Sequence, residues 1–216
     1  MSARILVLGT RNRKKCIELE PLLAPHGFVL KTLADLPNAI EVEETGDTFA
    51  ANAALKAAEQ AKHLQAWVLG EDSGLEVEAL RGAPGVRSAR YAGQQGDDAA
   101  NNRLLLEQLA DVPLDKRWAR YVCHISLADP QGNIHVDVED YCRGRIRFDY
   151  AGSSGFGYDP LFEVVEYHKT FGELGLAVKS VLSHRSRAVR QFVPKLLALF
   201  PDRKEMTNVE NQMSKE

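Results

Sequence analysis

Hydrophobic and polar positions alternate between two periods along the chain. Arg4 to Gly9 (RILVLG) is a short apolar run rich in branched residues, which predicts a buried strand. Thr10 to Lys15 follows as a polar turn, and Cys16 to Leu23 reads as a helix with Cys16, Leu19, Leu22 and Leu23 on one face. Pro21 falls inside that pattern and weakens it. Asp47 can cap a helix starting at Thr48, in which Phe49, Ala53, Ala57, Ala61 and Leu64 share the core-facing sector. Asn52 and Lys56, four apart, lie on a different stripe of it.

Ala66 to Gly70 predicts a second apolar strand, and Asp97 to Leu109 a helix with Leu104, Leu105 and Gln108 bracketing its inner face. Arg117 to Ala128 alternates, with Ala119, Tyr121, Cys123, Ile125 and Leu127 on one side and Arg120, His124 and Ser126 on the other. That is the pattern of a half-buried strand. Asn133 to Phe148 reads as its antiparallel partner through the turn Asp129-Pro130-Gln131-Gly132. From Ser183 a last helix carries Val189, Phe192, Val193, Leu196, Leu197 and Phe200 at helical spacing, with Pro194 demanding a kink. The mixture predicts an α/β fold, an elongated sheet with helices packed around it. Residues 1–200 are expected to form a single domain, and residues 201–216, polar and without periodicity, a frayed tail.

Composition narrows the function classes. The 216 residues carry 27 Lys and Arg against 30 Asp and Glu, a net charge of −3. A mildly acidic chain has no field to recruit nucleic acid or an anionic membrane. No run approaches the ~20 apolar residues needed to span a bilayer. The N-terminal MSARILVLGT is too short in its apolar part for a secretory leader. Three cysteines, Cys16, Cys123 and Cys142, form no CxxC pair, so a cytoplasmic location is expected.

Four polar clusters interrupt the apolar pattern at strand ends or helix starts, where α/β folds place ligands. Thr10-Arg11-Asn12-Arg13-Lys14-Lys15 offers a hydroxyl, an amide and cations before a helix N-terminus, which suits an anion, although a solvated basic turn has the same composition. Glu43-Glu44-Thr45-Gly46 puts carboxylates beside a glycine turn, either for a hard divalent cation or as an acidic loop, and Lys56 can reach back toward it. Glu71-Asp72-Ser73-Gly74 follows an apolar strand and fits Mg²⁺ binding and activation of a water, or else a turn that caps the strand. Gly155-Phe156-Gly157-Tyr158-Asp159-Pro160 sets two aromatics among glycines, where a base could stack or a tight turn could bury them. Ser183-His184-Arg185 places a cap and two donors for a carbonyl or phosphate at a helix start, although a plain helix N-terminus reads the same. Cations for a triphosphate, carboxylates for Mg²⁺ and aromatics for a base together make a kit for cutting a nucleotide.

Taken in order, ILVLGTRNRKK, EETGDTFAANAALKAAEQAK, EDSGLEVEALRGAPGVRSARYAG, SSGFGYDPLF, KTFGEL and VKSVLSHRSRAV resemble the inosine/xanthosine triphosphate pyrophosphatases, and they span residues 5–190. The resemblance implies a long mixed sheet with flanking helices, forming two lobes around a central active-site cleft. It implies hydrolysis of ITP, dITP or XTP to the monophosphate plus pyrophosphate, with Mg²⁺, in a homodimer. By the same resemblance Thr10 to Lys15 bind the triphosphate, Glu44 and Asp72 hold the metal, and Asp72 is the proton acceptor. Ser73, Phe156, Gly157, Tyr158, Asp159, Lys179, His184 and Arg185 contact the nucleotide, and Lys56 is expected to balance pyrophosphate charge. Four positions depart from the family pattern: Glu71 stands for Asp, Arg11 and Lys14 replace glycines, and Ser186 replaces a glycine. The competing readings are a pyrophosphatase for modified pyrimidine nucleotides, a non-catalytic nucleotide sensor, and a scaffold without a ligand.

Overall fold

The computed structural model describes residues 4–200, so the expected tail lies outside the described residues. Seven strands form one mixed sheet in the order β2-β1-β3-β4-β5-β6-β7. They are β1 (Arg4–Leu8), β2 (Phe28–Thr32), β3 (Val68–Val77), β4 (Trp118–Ala128), β5 (Ile134–Ile146), β6 (Phe162–Val164) and β7 (Lys169–Thr170). The helices are α1 (Arg13–Leu23), α2 (Phe49–Leu64), α3 (Asp98–Gln108), α4 (Phe171–Leu182) and α5 (His184–Leu199). β1 pairs in parallel with both β2 and β3, and every later pairing is antiparallel.

Connectivity places a ligand crevice before any side chain is considered. The chain leaves β1 through α1 toward β2, then returns through α2 to β3 on the other side of β1. Leu19 and Leu23 of α1 pack with α5 residues Val189, Phe192 and Leu196 in one cluster, while Ala57 and Ala61 of α2 pack with Val7 and Val68 in another. Such a reversal of strand order, at the carboxyl ends of parallel strands, is where open α/β sheets bind ligands.

The strand expected to end at Gly70 instead continues to Val77. β4 supplies an unbroken antiparallel partner from Val68↔Ala128 to Val77↔Ala119, whereas β1 stops at Leu8↔Leu69. Residues 71–74 thus lie inside a strand, on the stretch that β1 no longer covers. Their polarity marks the end of the parallel neighbour, not of the strand itself.

Other departures have equally local causes. α1 begins at Arg13, three residues early, because Asn12 caps it with a side-chain oxygen accepting from the Lys14 N–H at 3.0 Å. Pro21 stays inside α1 and Pro194 inside α5. The cap of α2 is Thr48, one residue beyond Asp47. The inner face of α3 is Asn101, Asn102 and Leu105, while Gln108 is exposed. β4 is buried on both faces from Tyr121 onward, so its polar side is no solvent side: Ser126 donates to Asp137 at 2.7 Å and His124 lies 2.8 Å from the same carboxylate. The cysteines are free, and burial pushes the Cys142 thiol up to about 11. No helix among the described residues is long and apolar enough to cross a membrane.

Two glycines set how closely α2 and the 85–90 turn approach β3. A Cβ on Gly70 would run into the Ala53 carbonyl and come within 2.7 Å of the Ala57 nitrogen, and one on Gly74 would meet the Gly85 carbonyl at 2.6 Å. Strand side chains alternate, so Gly70, Asp72 and Gly74 share one face, and both approaches bury Asp72. Gly70→Ala is expected to lower the unfolding free energy by about 1–3 kcal/mol through overpacking, measured by denaturant titration.

Candidate active site

A pocket of about 360 Å³ opens beside the uncovered stretch of β3. One wall is the loop after β1. Thr10 Oγ1 accepts from the Asn12 N–H at 3.1 Å, which fixes the turn, and Lys14 and Lys15 then fall in the first turn of α1, where no acidic residue sits. Cations at the positive end of a helix macrodipole repel it and leave the terminus suited to an anion. Thr10, Asn12, Lys14 and Lys15 line the pocket. Arg11 and Arg13, expected to bind substrate, are turned elsewhere. Arg11 donates to the Ala39 carbonyl at 3.2 Å, and exposed Arg13 pairs with Asp35 at 3.4 Å. The helix start at Arg13 aims those two side chains at the 33–39 segment.

The two carboxylates of the Glu71-Asp72 pair have different fates, because neighbours on a strand point to opposite faces. Asp72 faces α2, where Lys56 Nζ lies 2.8 Å from its Oδ1 and Asn52 Nδ2 3.4 Å from its Oδ2. Lys56 also reaches Glu44 at 3.1 Å, so one ammonium is shared by two carboxylates. Asn52 Oδ1 accepts from the Gly46 N–H at 2.8 Å and ties the Glu44 segment to the same helix. The α2 stripe of Asn52 and Lys56 is therefore what assembles this corner. Burial raises the Asp72 carboxyl, an effect that Lys56 offsets only in part.

Glu71 faces the other way and is fully covered, so it is no part of an open metal site. It pairs with Lys15 at 2.6 Å and with Arg185 at 3.1 Å, and Cys123 Sγ donates to it at 3.3 Å. Burial alone would raise its carboxyl, but Arg185 and then Lys15 hold it well below the usual carboxylate range. Arg185 is held on its other side by Glu18, a residue that sequence reasoning missed. Glu18 also takes Lys179 at 2.7 Å, and Lys179 pairs with Asp159 at 2.6 Å. The only sequence signal for Glu18 was an acid one helical turn beyond Lys15.

The glycine-rich aromatic loop is fastened by its own acids. Asp159 accepts from the Phe156 N–H at 2.8 Å, and Gly155, at φ +81°, leaves room that a Cβ would fill against that carboxylate. Asp98, at the start of α3, accepts from the Gly157 N–H at 2.9 Å, while Asn102 donates to the Gly157 carbonyl at 3.0 Å. Only Phe156 of the two aromatics stays partly open, its ring 4.5 Å from Lys179 Nζ and 5.4 Å from Lys14 Nζ. Tyr158 is buried among core residues and donates its hydroxyl to the Ser88 carbonyl at 2.8 Å, so it lines the pocket without offering a free face for stacking.

Ser183 caps α5 through the Ser186 N–H at 3.2 Å and places His184 and Arg185 in the first turn. His184 is fully buried and stacks on Tyr121 with centroids 4.7 Å apart. Burial, with Arg185 and Lys179 close by, keeps it neutral, and its Nδ1 has no hydrogen-bond partner. Arg185 Nε is likewise unpartnered, though both its Nη atoms are engaged, by Glu18 and by Glu71 and Ser73.

The donor set of Glu44 and Asp72 is oxygen-only and already shares one cation, which suits a hard divalent ion. Among the described residues no third acid, His or Cys joins them.

A strand-order reversal, cations at a helix start, a carboxylate pair and an open aromatic define an α/β nucleotide-handling protein. The chain belongs to the Ham1 family, which it matches over residues 6–195. It is 60% identical over 194 residues to a Rhodopirellula baltica protein named dITP/XTP pyrophosphatase, covering 90% of this chain and 93% of that one. A Desulforamulus reducens protein of the same name is 48% identical over 90% of this chain and 96% of its own length. Among solved structures, a HAM1 protein from Coxiella burnetii superposes with a TM-score of 0.82 at 34% identity, covering 90% of this chain and 99% of that one. A nucleoside-triphosphatase / dITP/XTP pyrophosphatase from Mycobacterium abscessus does so at 0.72 and 42% identity, over 89% and 99%.

Since Glu18 and Glu71 both titrate lower in the fold than in an unfolded chain, they stabilise the protein above the usual carboxylate value of 4.5. Stability is expected to fall as pH drops below that value. Glu71→Gln should flatten this dependence and cost about 3–5 kcal/mol at neutral pH, because Lys15 loses its carboxylate and Arg185 one of two. Denaturant titrations of both proteins between pH 3 and pH 7 check it.

Proposed function

We propose that this chain hydrolyses the deaminated purine triphosphates ITP, dITP and XTP to the monophosphate and pyrophosphate, keeping those bases out of DNA and RNA. The observation that carries the reading is the single pocket that gathers a cationic helix start, the carboxylates Glu44 and Asp72 around Lys56, the open ring of Phe156 and the inward donors of α5. The names of the Rhodopirellula and Desulforamulus relatives support the same substrates. The reading includes a cytoplasmic homodimer, as the family resemblance implies, with no direct binding of nucleic acid or membrane.

The residues divide the work by position. Lys14, Lys15 and the N–H groups opening α1 bind the triphosphate, with Thr10 and Asn12 shaping the turn. Glu44 and Asp72 would hold Mg²⁺, which would supply positive charge against the phosphates and the attacking water. Asp72 accepts the proton as the water oxygen bonds to the α-phosphorus. The bond from that phosphorus to the bridging oxygen breaks, and pyrophosphate leaves with the electron pair, its charge balanced by Lys56 and Lys15. Burial makes Asp72 a better base than a solvated aspartate, while Lys56 keeps it ionised. Phe156 stacks on the base, and Asp159 and Lys179 hold that ring in place.

Selection acts at the 6-position, where these purines carry a keto acceptor and adenine an amino donor. Arg185 is the residue whose removal suggests itself from sequence, but Arg185→Leu would take one of two cations from each of the buried Glu18 and Glu71 and so test folding as well. His184 is the cleaner probe. Being neutral and buried, it offers a single N–H, and a base that can only donate leaves that N–H unsatisfied, at about 1–3 kcal/mol.

A pyrophosphate-release assay with Mg²⁺ over ITP, dITP, XTP, GTP, ATP and dTTP tests the reading. Turnover is expected for the first three and lost in EDTA, and preference for a pyrimidine triphosphate would overturn it. Asp72→Asn, nearly isosteric, should keep the fold by circular dichroism and lose most of kcat. His184→Phe retains a ring for Tyr121 and should lower kcat/KM for ITP by roughly tenfold more than for ATP. Equal losses for the two substrates would assign His184 to packing.

A further inference from the structure

Four of the cations that line the pocket are balanced by close carboxylates. Lys15 rests on Glu71, Lys56 between Glu44 and Asp72, Lys179 between Glu18 and Asp159, and Arg185 between Glu18 and Glu71. Arg90 is different. It lines the pocket from the 85–90 turn, its side chain is 35% exposed, and its ion pair is a long one, Nη1 to Glu44 Oε2 at 3.5 Å.

The backbone beneath Arg90 is fixed in place. Ser88 Oγ accepts from the Leu75 N–H at 2.8 Å and donates to the Gly85 carbonyl at 2.6 Å. The Tyr158 hydroxyl donates to the Ser88 carbonyl, and Asn101 Oδ1 accepts from the Ala92 N–H at 2.7 Å. A long, half-solvated guanidinium thus springs from a rigid turn and is held weakly at its tip. Arg90 and Lys56 grip opposite oxygens of Glu44, and Arg90 has the longer contact, so it is the one released at least cost. Its planar fork of donors suits a phosphate.

We propose that Arg90 is a further substrate-binding residue, which takes the diphosphate end of the triphosphate and which Glu44 masks in the free protein. The inference rests on the triphosphate reading of the pocket. When the anion arrives, the guanidinium leaves Glu44 for phosphate oxygens, and Glu44 keeps Lys56 as its partner.

The test is calorimetric titration of the full chain with inorganic pyrophosphate in EDTA, for wild type, R90Q, R90K, E44Q and the R90Q/E44Q double variant. R90Q should weaken binding roughly tenfold, R90K should recover part of it, and E44Q, with the mask removed, should bind tighter than wild type. The double variant should bind as weakly as R90Q. In turnover with Mg²⁺, R90Q should lower kcat/KM for ITP and ATP by the same factor, since their triphosphates are identical. Wild-type pyrophosphate affinity in R90Q would overturn the assignment, and so would a double variant as tight as E44Q, which would make Lys56 the unmasked cation. A loss confined to the ITP-to-ATP ratio would also overturn it, moving Arg90 to the base. A wild-type protein that binds pyrophosphate but turns over no purine triphosphate would overturn the substrate reading alone and leave Arg90 as an anion ligand.

Discussion

Arg185, buried between Glu18 and Glu71, is the interaction on which the site depends. A pocket for a triphosphate needs several cations close together, and burying unbalanced cations costs far more than a small domain can offset. Here each deep cation has a carboxylate behind it. Glu71 links Lys15 of α1 to Arg185 of α5, and Glu18 links Arg185 to Lys179. The chain Lys15–Glu71–Arg185–Glu18–Lys179–Asp159 therefore runs beneath the pocket and ties α1, β3, α5, α4 and the aromatic loop into one charge-balanced unit.

The sheet supplies the platform for that unit. β1 stops at Leu8 while β3 runs on, so the polar stretch of β3 has a neighbour on one side and open space on the other. Side-chain alternation then sends Glu71 into the ion network and Asp72 to the α2 face. A single dipeptide thereby serves two purposes, organising cations with one carboxylate and presenting the other to Glu44 and Lys56. Gly70 and Gly74, flanking Asp72 on its face, let α2 and the 85–90 turn close over it.

Much of this was legible in the sequence, and the misses share a cause. Elements with a strong period, such as α2, β4, β5 and α5, were readable because one face of each is apolar. β2 carries its alternation over five residues only, and α4 is broken by Gly175 at φ +74°. The site residues were legible as types, and their directions were not. Arg11 and Arg13 have the same chemistry as Lys14 and Lys15, yet the helix start at Arg13 turns them away from the pocket. Tyr158 and Phe156 look equivalent, but only the tertiary partner Ser88 reveals that Tyr158 is spoken for. Glu71 as a Mg²⁺ neighbour followed from adjacency, which on a strand means opposite faces. Glu18, Asp98 and Arg90 act through partners 50 or more residues distant or on other elements, beyond the reach of local pattern.

The fastening of the aromatic loop has a thermodynamic consequence. Asp159, Asp98 and Asn102 fix the backbone of residues 156 and 157 before any base arrives. Ordering that loop is part of folding, so little conformational entropy remains to be lost when a nucleotide enters. Under the proposed function, affinity then comes from stacking and charge almost undiminished, and a loop of small residues, which in isolation would sample many shapes, behaves as a rigid slot.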